Sequence, residues 1–138
     1  MWFDRGLVWA YAFNHEEAIT CFERALALDA DLAIARWGGI AYAIGPNYNK
    51  GWEAFDPVDL TASLARARME LQLAAKSRGS VVEHALIAAL AARFPPPTIL
   101  LTRTRWPRGH VAYAEAMTEL ARAYPETWTC WRWPPTRW

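Results

Sequence analysis

Apolar residues along most of this chain recur at the three-to-four-residue interval of one face of an α-helix. Trp2, Phe3, Gly6, Trp9, Ala10 and Phe13 predict a first helix over residues 2–13, with Asn14 as its breaker or as the cap of the next. From His15 to Leu28, Ala18, Cys21, Phe22, Ala25, Leu26 and Leu28 form one apolar stripe, with Glu16, Glu17, Glu23 and Arg24 largely off it. Asp29-Ala30-Asp31 ends that helix. A third runs from Ala33 to Ile44, with Trp37, Ile40, Ala41 and Ile44 on one face, and Gly45-Pro46 stops it. The stretch GPNYNKGWEAFDP follows as a loop of turn-forming residues and aromatics. Further helices are predicted from about Val58 to Ser77, from about Val81 to Arg93 after a break and cap at Gly79-Ser80, and from about His110 to Tyr124. No alternating strand pattern stands out, so the chain reads as all-α and built from helix pairs.

The 138 residues amount to one domain, large enough to bury a core without staples. Its parts are a helical region over 1–94 with an inserted loop at 45–57, an irregular linker at 95–109, a helix at 110–124 and a tryptophan-rich tail at 125–138. No apolar run approaches the roughly 20 residues of a transmembrane helix, and Asp4 stands where a secretory signal has a basic flank. A cytoplasmic location away from membranes is the expectation. Cys21 and Cys130 are too few and too far apart for a disulfide framework or a zinc site, and read as free thiols. The formal charge of +1 argues against a dedicated nucleic-acid binder.

Two stretches break the pattern. Residues 97–108 and 127–138 hold Arg103, Arg105, Arg108, Arg132 and Arg137 and no acid, together with Trp106, Trp128, Trp131, Trp133 and Trp138. Tryptophan has a single codon, TGG, so a shift of frame turns each into a codon for Leu, Val or Met. Back-translated with GC-rich codons and shifted, the tail becomes DLDVLALAADAL, acids followed by an apolar stripe, as in the first helix of another unit. Both segments are therefore expected to be out-of-frame translations of a longer helical protein. The tail is given no functional weight.

Internal periodicity carries the most information. Trp2, Gly6 and Trp9 read large, small, large; Ala18, Phe22 and Ala25 read small, large, small. Trp37, Ala41 and Ile44 repeat the first half, and Ala67, Leu71 and Ala74 the second. The pattern resembles the tetratricopeptide repeat, a helix-turn-helix unit of about 34 residues. The likeness is good over 2–32, where EEAITCFERALALDAD follows the family's second helix and exit, fair over 33–44, and weak beyond. Arg5 stands where the family usually has leucine and Ala30 where it usually has proline. The inserted GPNYNKGWEAFDP is similar to a feature of bacterial repeat proteins of unassigned role. What the resemblance implies is a short α-solenoid of antiparallel helix pairs, a fragment of a larger stack, that binds another protein or peptide. Its groove would be lined by inward residues of each unit's first helix: Phe3, Leu7 and Tyr11, then Gly38 and Tyr42. The pattern with which some members clamp a C-terminal carboxylate is missing, because Phe3 and Leu7 occupy its first two positions. An incomplete stack also leaves an apolar end at which copies could self-associate.

Site chemistry is sparse. His15 and Cys21 lie six positions apart and so point to different faces, and a zinc-protease helix would need a second histidine where Ile19 stands. Glu16 and Glu17 suit the first turn of a helix. His84 and His110 lack ligand-spaced companions, and no phosphate loop or nucleophile motif is present. Neither a metal nor a cofactor is implied, and no catalytic residue. The remaining candidate is loop 45–56, where Asn47, Tyr48, Asn49, Lys50 and Trp52 offer amides, a cation and stacking faces. The same residues suit a plain ordered turn. The sequence points to a non-enzymatic scaffold; the alternative is an accessory helical domain of an enzyme or small-ligand binder that uses the loop.

Overall fold

A computed structural model describes residues 1–44, 56–94 and 106–126, and all of its regular structure there is helical. The elements are α1 (Trp2–Tyr11), α2 (His15–Leu28), α3 (residues 33–44), α4 (Pro57–Ala74), α5 (Val81–Arg93) and α6 (Trp106–Ala123).

Local chemistry sets the boundaries. Beyond α1 the Phe13 N–H bonds to Ala10 O and the Asn14 N–H to Trp9 O, the paired bonds of a Schellman stop. Phe13 fills its left-handed position with φ 60°, so α1 ends at Tyr11, two residues before the predicted Phe13. Asn14 then caps α2, its Oδ1 accepting the Glu17 N–H at 3.3 Å, while Glu16 and Glu17 occupy the first turn. Asp56 caps α4 by accepting from Val58 and Asp59. That helix closes at Ala74, where Lys76 and Ser77 bond back to Leu73 and Ala74 in tighter turns and the Ser77 hydroxyl donates to Leu73 O. Ser80 and Glu83 form a reciprocal capping box at the head of α5. Ser80→Ala is expected to cost about 1 kcal/mol, readable as a lower urea midpoint at unchanged slope. The start of α6 lies four residues before the predicted His110, since Pro107 is tolerated in a first turn.

The core consists of two clusters on either side of α3. In the first, Ala18, Phe22 and Ala25 of α2 meet Ala35 and Ile40 of α3, with Trp2, Phe3, Leu7 and Ala10 of α1 against them. In the second, Ala33 and Ala41 of α3 meet Leu64, Ala67, Leu71 and Ala74 of α4 and Ile87, Leu90 and Phe94 at α5 and its end. Phe22, with no exposed surface, sits between two glycines. A Cβ on Gly6 would lie 2.6 Å from its ring, and one on Gly39 only 2.0 Å from its Cγ. Arg5 lies 5.1 Å and Arg24 4.5 Å from the centroid of the Trp2 ring, which accounts for a cation where the resembled family has leucine.

One prediction changes in kind. Residues 33–44 are helical, but Ala35–Ala41 is wound as a π-helix before Tyr42–Ile44 returns to α geometry. The expected single face of Trp37, Ile40, Ala41 and Ile44 is divided: Ile40 enters the first cluster, Trp37 and Ala41 the second, and Ile44 touches both. Wider winding spreads the apolar positions around the axis, which suits an element packed on two sides.

Elements pack in chain order. Each touches the next, α1 also touches α3, and α3 also touches α5. The turn after α2 is tied to the turn after α4: Asp31 accepts the Arg78 N–H at 3.0 Å, the Ala33 N–H bonds to Arg78 O at 3.4 Å, and the Arg78 guanidinium pairs with Asp29 at 2.8 Å. Between helices, Arg66 pairs with Glu23, and Arg36 pairs with Glu70 at 2.8 Å in a largely buried setting.

Candidate partner-binding face

The five groove positions are divided by the fold. Phe3 and Leu7 are half-buried against the first cluster, with the Phe3 ring 5.6 Å from that of Phe22. Gly38 lies within the π-wound part of α3. Tyr11, at the end of α1, is 59% exposed, and half-buried Tyr42 packs against the second cluster. These two phenols are close enough for Tyr42 to act electrostatically on Tyr11, whose pKa is raised, first by partial burial and then by Tyr42.

Three residues that sequence reasoning did not assign extend the same face. Buried Arg93, from the last turn of α5, has its guanidinium carbon 5.8 Å from the centroid of the Tyr42 ring. Tyr113 and His110 come from α6. Burial raises the Tyr113 pKa, with Tyr42 adding to the rise and Arg93 opposing it. Burial likewise lowers that of Arg93 from its ordinary value, against the pull of Tyr42 and Tyr113. Four helices thus contribute to one run of phenols, a guanidinium and an imidazole. The sequence offered one signal, a lone arginine closing an alanine-rich helix. Gly109 permits the junction, since a Cβ there would lie 2.7 Å from Arg93 O.

His15, at the head of α2, bonds to the backbone of Ala43 and ties the α1–α2 turn to the end of α3. Burial lowers its pKa, with that hydrogen bond opposing, and the pKa of His110 is lowered by burial and then by Arg93. Both rings are held toward the neutral form in the folded state. The unfolded chain therefore takes up protons first as pH falls, and stability declines below about pH 6.5 while remaining full above it. Urea midpoints should fall between about pH 7 and pH 5.5, and replacing both histidines by Asn should flatten that slope. An unchanged slope in the double variant would remove these two groups from the account.

Cys21 is a buried free thiol within α2, and among the described residues no cluster of three or more His, Cys, Asp or Glu has the geometry to hold a metal ion. No described helix is long and apolar enough to cross a membrane. The loop candidates Asn47, Tyr48, Asn49, Lys50 and Trp52 lie outside the described residues, as do 95–105 and 127–138 with Cys130.

No family model, curated protein or solved structure matches the chain. Over its described residues the class at hand is that of an all-helical protein.

Proposed function

We propose that this chain is a non-enzymatic scaffold, a short tetratricopeptide-like solenoid in which α1–α2, α3–α4 and α5–α6 are stacked antiparallel pairs. It holds a protein or peptide along the face formed by the first helix of each pair. The observation that carries the reading is the Arg93 guanidinium of α5 lying 5.8 Å from the Tyr42 ring of α3, with Tyr42 also near enough to act electrostatically on Tyr11 of α1. Residues near comparable ends of successive first helices are what a groove along those helices would use. The turn-to-turn ties at Asp31 and Arg78 and the packing of elements in chain order support the same reading. Tyrosines suit the role, giving large contact areas with few rotors and a polar tip.

Peptides selected from a random library against the purified chain test it. Binding of a selected peptide is expected to weaken at least about tenfold in Tyr42→Ala, the order of loss for a contact of some 1.4 kcal/mol, with the circular dichroism spectrum unchanged. Failure to select any peptide, or selected peptides indifferent to Tyr11→Ala and Tyr42→Ala alike, would overturn it. Small-molecule binding that depends on Asn47 or Lys50 would favour the accessory-domain alternative. Concentration-dependent sedimentation would assign the exposed apolar end to self-association.

A further inference from the structure

Trp2 opens α1 and carries two arginines. Arg5, one helical turn on, has its guanidinium carbon 5.1 Å from the centroid of the indole ring, and that of Arg24, brought in by the packing of α2 on α1, lies 4.5 Å from it. Both arginines are exposed, while the indole is half-buried against the first cluster.

Each of these arginines follows an acid in the sequence, and in each case the acid is engaged elsewhere. Asp4 turns to the Met1 amine at 3.2 Å, and Glu23 pairs with Arg66 of α4. Helical spacing offers no substitute. The positions three and four residues from Arg5 hold Met1, Trp2, Val8 and Trp9, and those from Arg24 hold Thr20, Cys21, Ala27 and Leu28. Among the described residues no carboxylate lies at ion-pair distance from either guanidinium. Two like charges are thus held on one ring with their hydrogen-bonding forks open to an anion. Stacking on an aromatic ring also fixes an arginine, so less side-chain freedom is lost when its fork is engaged.

We propose that Trp2, Arg5 and Arg24 form a docking site for an acidic peptide segment, whose carboxylates the two guanidiniums receive in planar, bidentate pairs. Charge complementarity selects an anion, and the surroundings select which kind. The Trp2 ring is taken up by the two guanidiniums and by the first cluster, which leaves little platform for a stacked base. A formal charge of +1 gives the chain no broad positive field for nucleic acid. The site is separate from the Tyr11–Tyr42 face, since Trp2 opens α1 and Tyr11 closes it, and it does not rest on the groove reading.

Hexaglutamate titrated into the isotope-labelled chain at low salt tests the site. The indole N–H of Trp2 and the Nε–H groups of Arg5 and Arg24 are expected to shift saturably, hexaglutamine to leave them in place, and added sodium chloride to weaken the binding. Arg5→Gln and Arg24→Gln should each lower the affinity about fivefold, the upper end for an exposed ion pair. Both together should abolish the shifts, with the amide spectrum away from the site unchanged. Arg5→Lys with Arg24→Lys keeps the charge and loses the fork, and should recover only part of the affinity. An unmoved Trp2 indole, shifts that survive without the two arginines, full recovery by lysine, or tighter binding of a short oligothymidylate at the same resonances would each overturn the proposal.

Discussion

Phe22→Ala is expected to lower the stability of this chain by about 3–5 kcal/mol, the range for emptying a fully buried aromatic site. For a domain of this size that is roughly 10–20 °C in the thermal midpoint, and a large share of the 5–15 kcal/mol that separates folded from unfolded states. Collapse around the void is poor here. The ring fills a slot between Gly6 and Gly39, where both backbones come as close as an aromatic ring allows. Neither glycine has a side chain that could move in. Gly6→Ala examines the slot from the other wall. Alanine gains close to 1 kcal/mol in helix propensity, but its Cβ meets the ring at 2.6 Å, and overpacking of that kind costs about 1–3 kcal/mol. Net destabilisation is expected, relieved when Phe22→Leu is combined with it. Thermal unfolding of the parent, both single variants and the pair gives the coupling directly; additive effects would rule the slot out as the cause.

The second large effect lies at Arg36 and Glu70. Glu70→Ala removes the carboxylate from a largely enclosed guanidinium whose Nε already lacks a hydrogen-bond partner. Breaking a buried pair from one side costs about 3–5 kcal/mol, and the low end applies because Arg36 keeps its bond to Ala30 O. Replacing both partners at once, as in Arg36→Met with Glu70→Leu, should restore stability to within about 1 kcal/mol of the parent, since no buried charge is then stranded. Urea unfolding of the four proteins checks the pattern. A double variant as unstable as Glu70→Ala would mean that the pair, not the relief of desolvation, holds α3 to α4.

Legibility in the sequence followed the range of the interactions. Asn14, Gly79 and Ser80 were readable as breaks and caps because turn and cap chemistry is local, acting over three or four residues. Gly6, Ala18, Phe22 and Ala25 were readable because close helix approach demands small residues opposite large ones at fixed spacing. Phe13 in a left-handed position was not, because the adjacent Asn14 offers the same local signal with better chemistry. The π winding was hidden for a related reason: Trp37, Ile40, Ala41 and Ile44 fit an α stripe, and only contact with clusters on two sides separates them. Of the candidate site, Tyr11 and Tyr42 were implied by the resemblance to the repeat family, mapped position by position. Arg93, Tyr113 and His110 reach the face by pairings between α3, α5 and α6 that no short window of sequence records.

The tie between the turns after α2 and α4 bears on how this chain could vary over evolutionary time. Asp31 and Arg78 stand 47 positions apart and still bond, whereas a plain unit of the resembled repeat spans about 34 residues. The surplus equals the length of GPNYNKGWEAFDP, residues 45–57. On the solenoid reading proposed above, the tie between the two turns is indifferent to how much chain lies between α3 and α4. Insertions and deletions there leave the framework's spacing intact, making that stretch the natural place for relatives to differ in length and acquire new specificity.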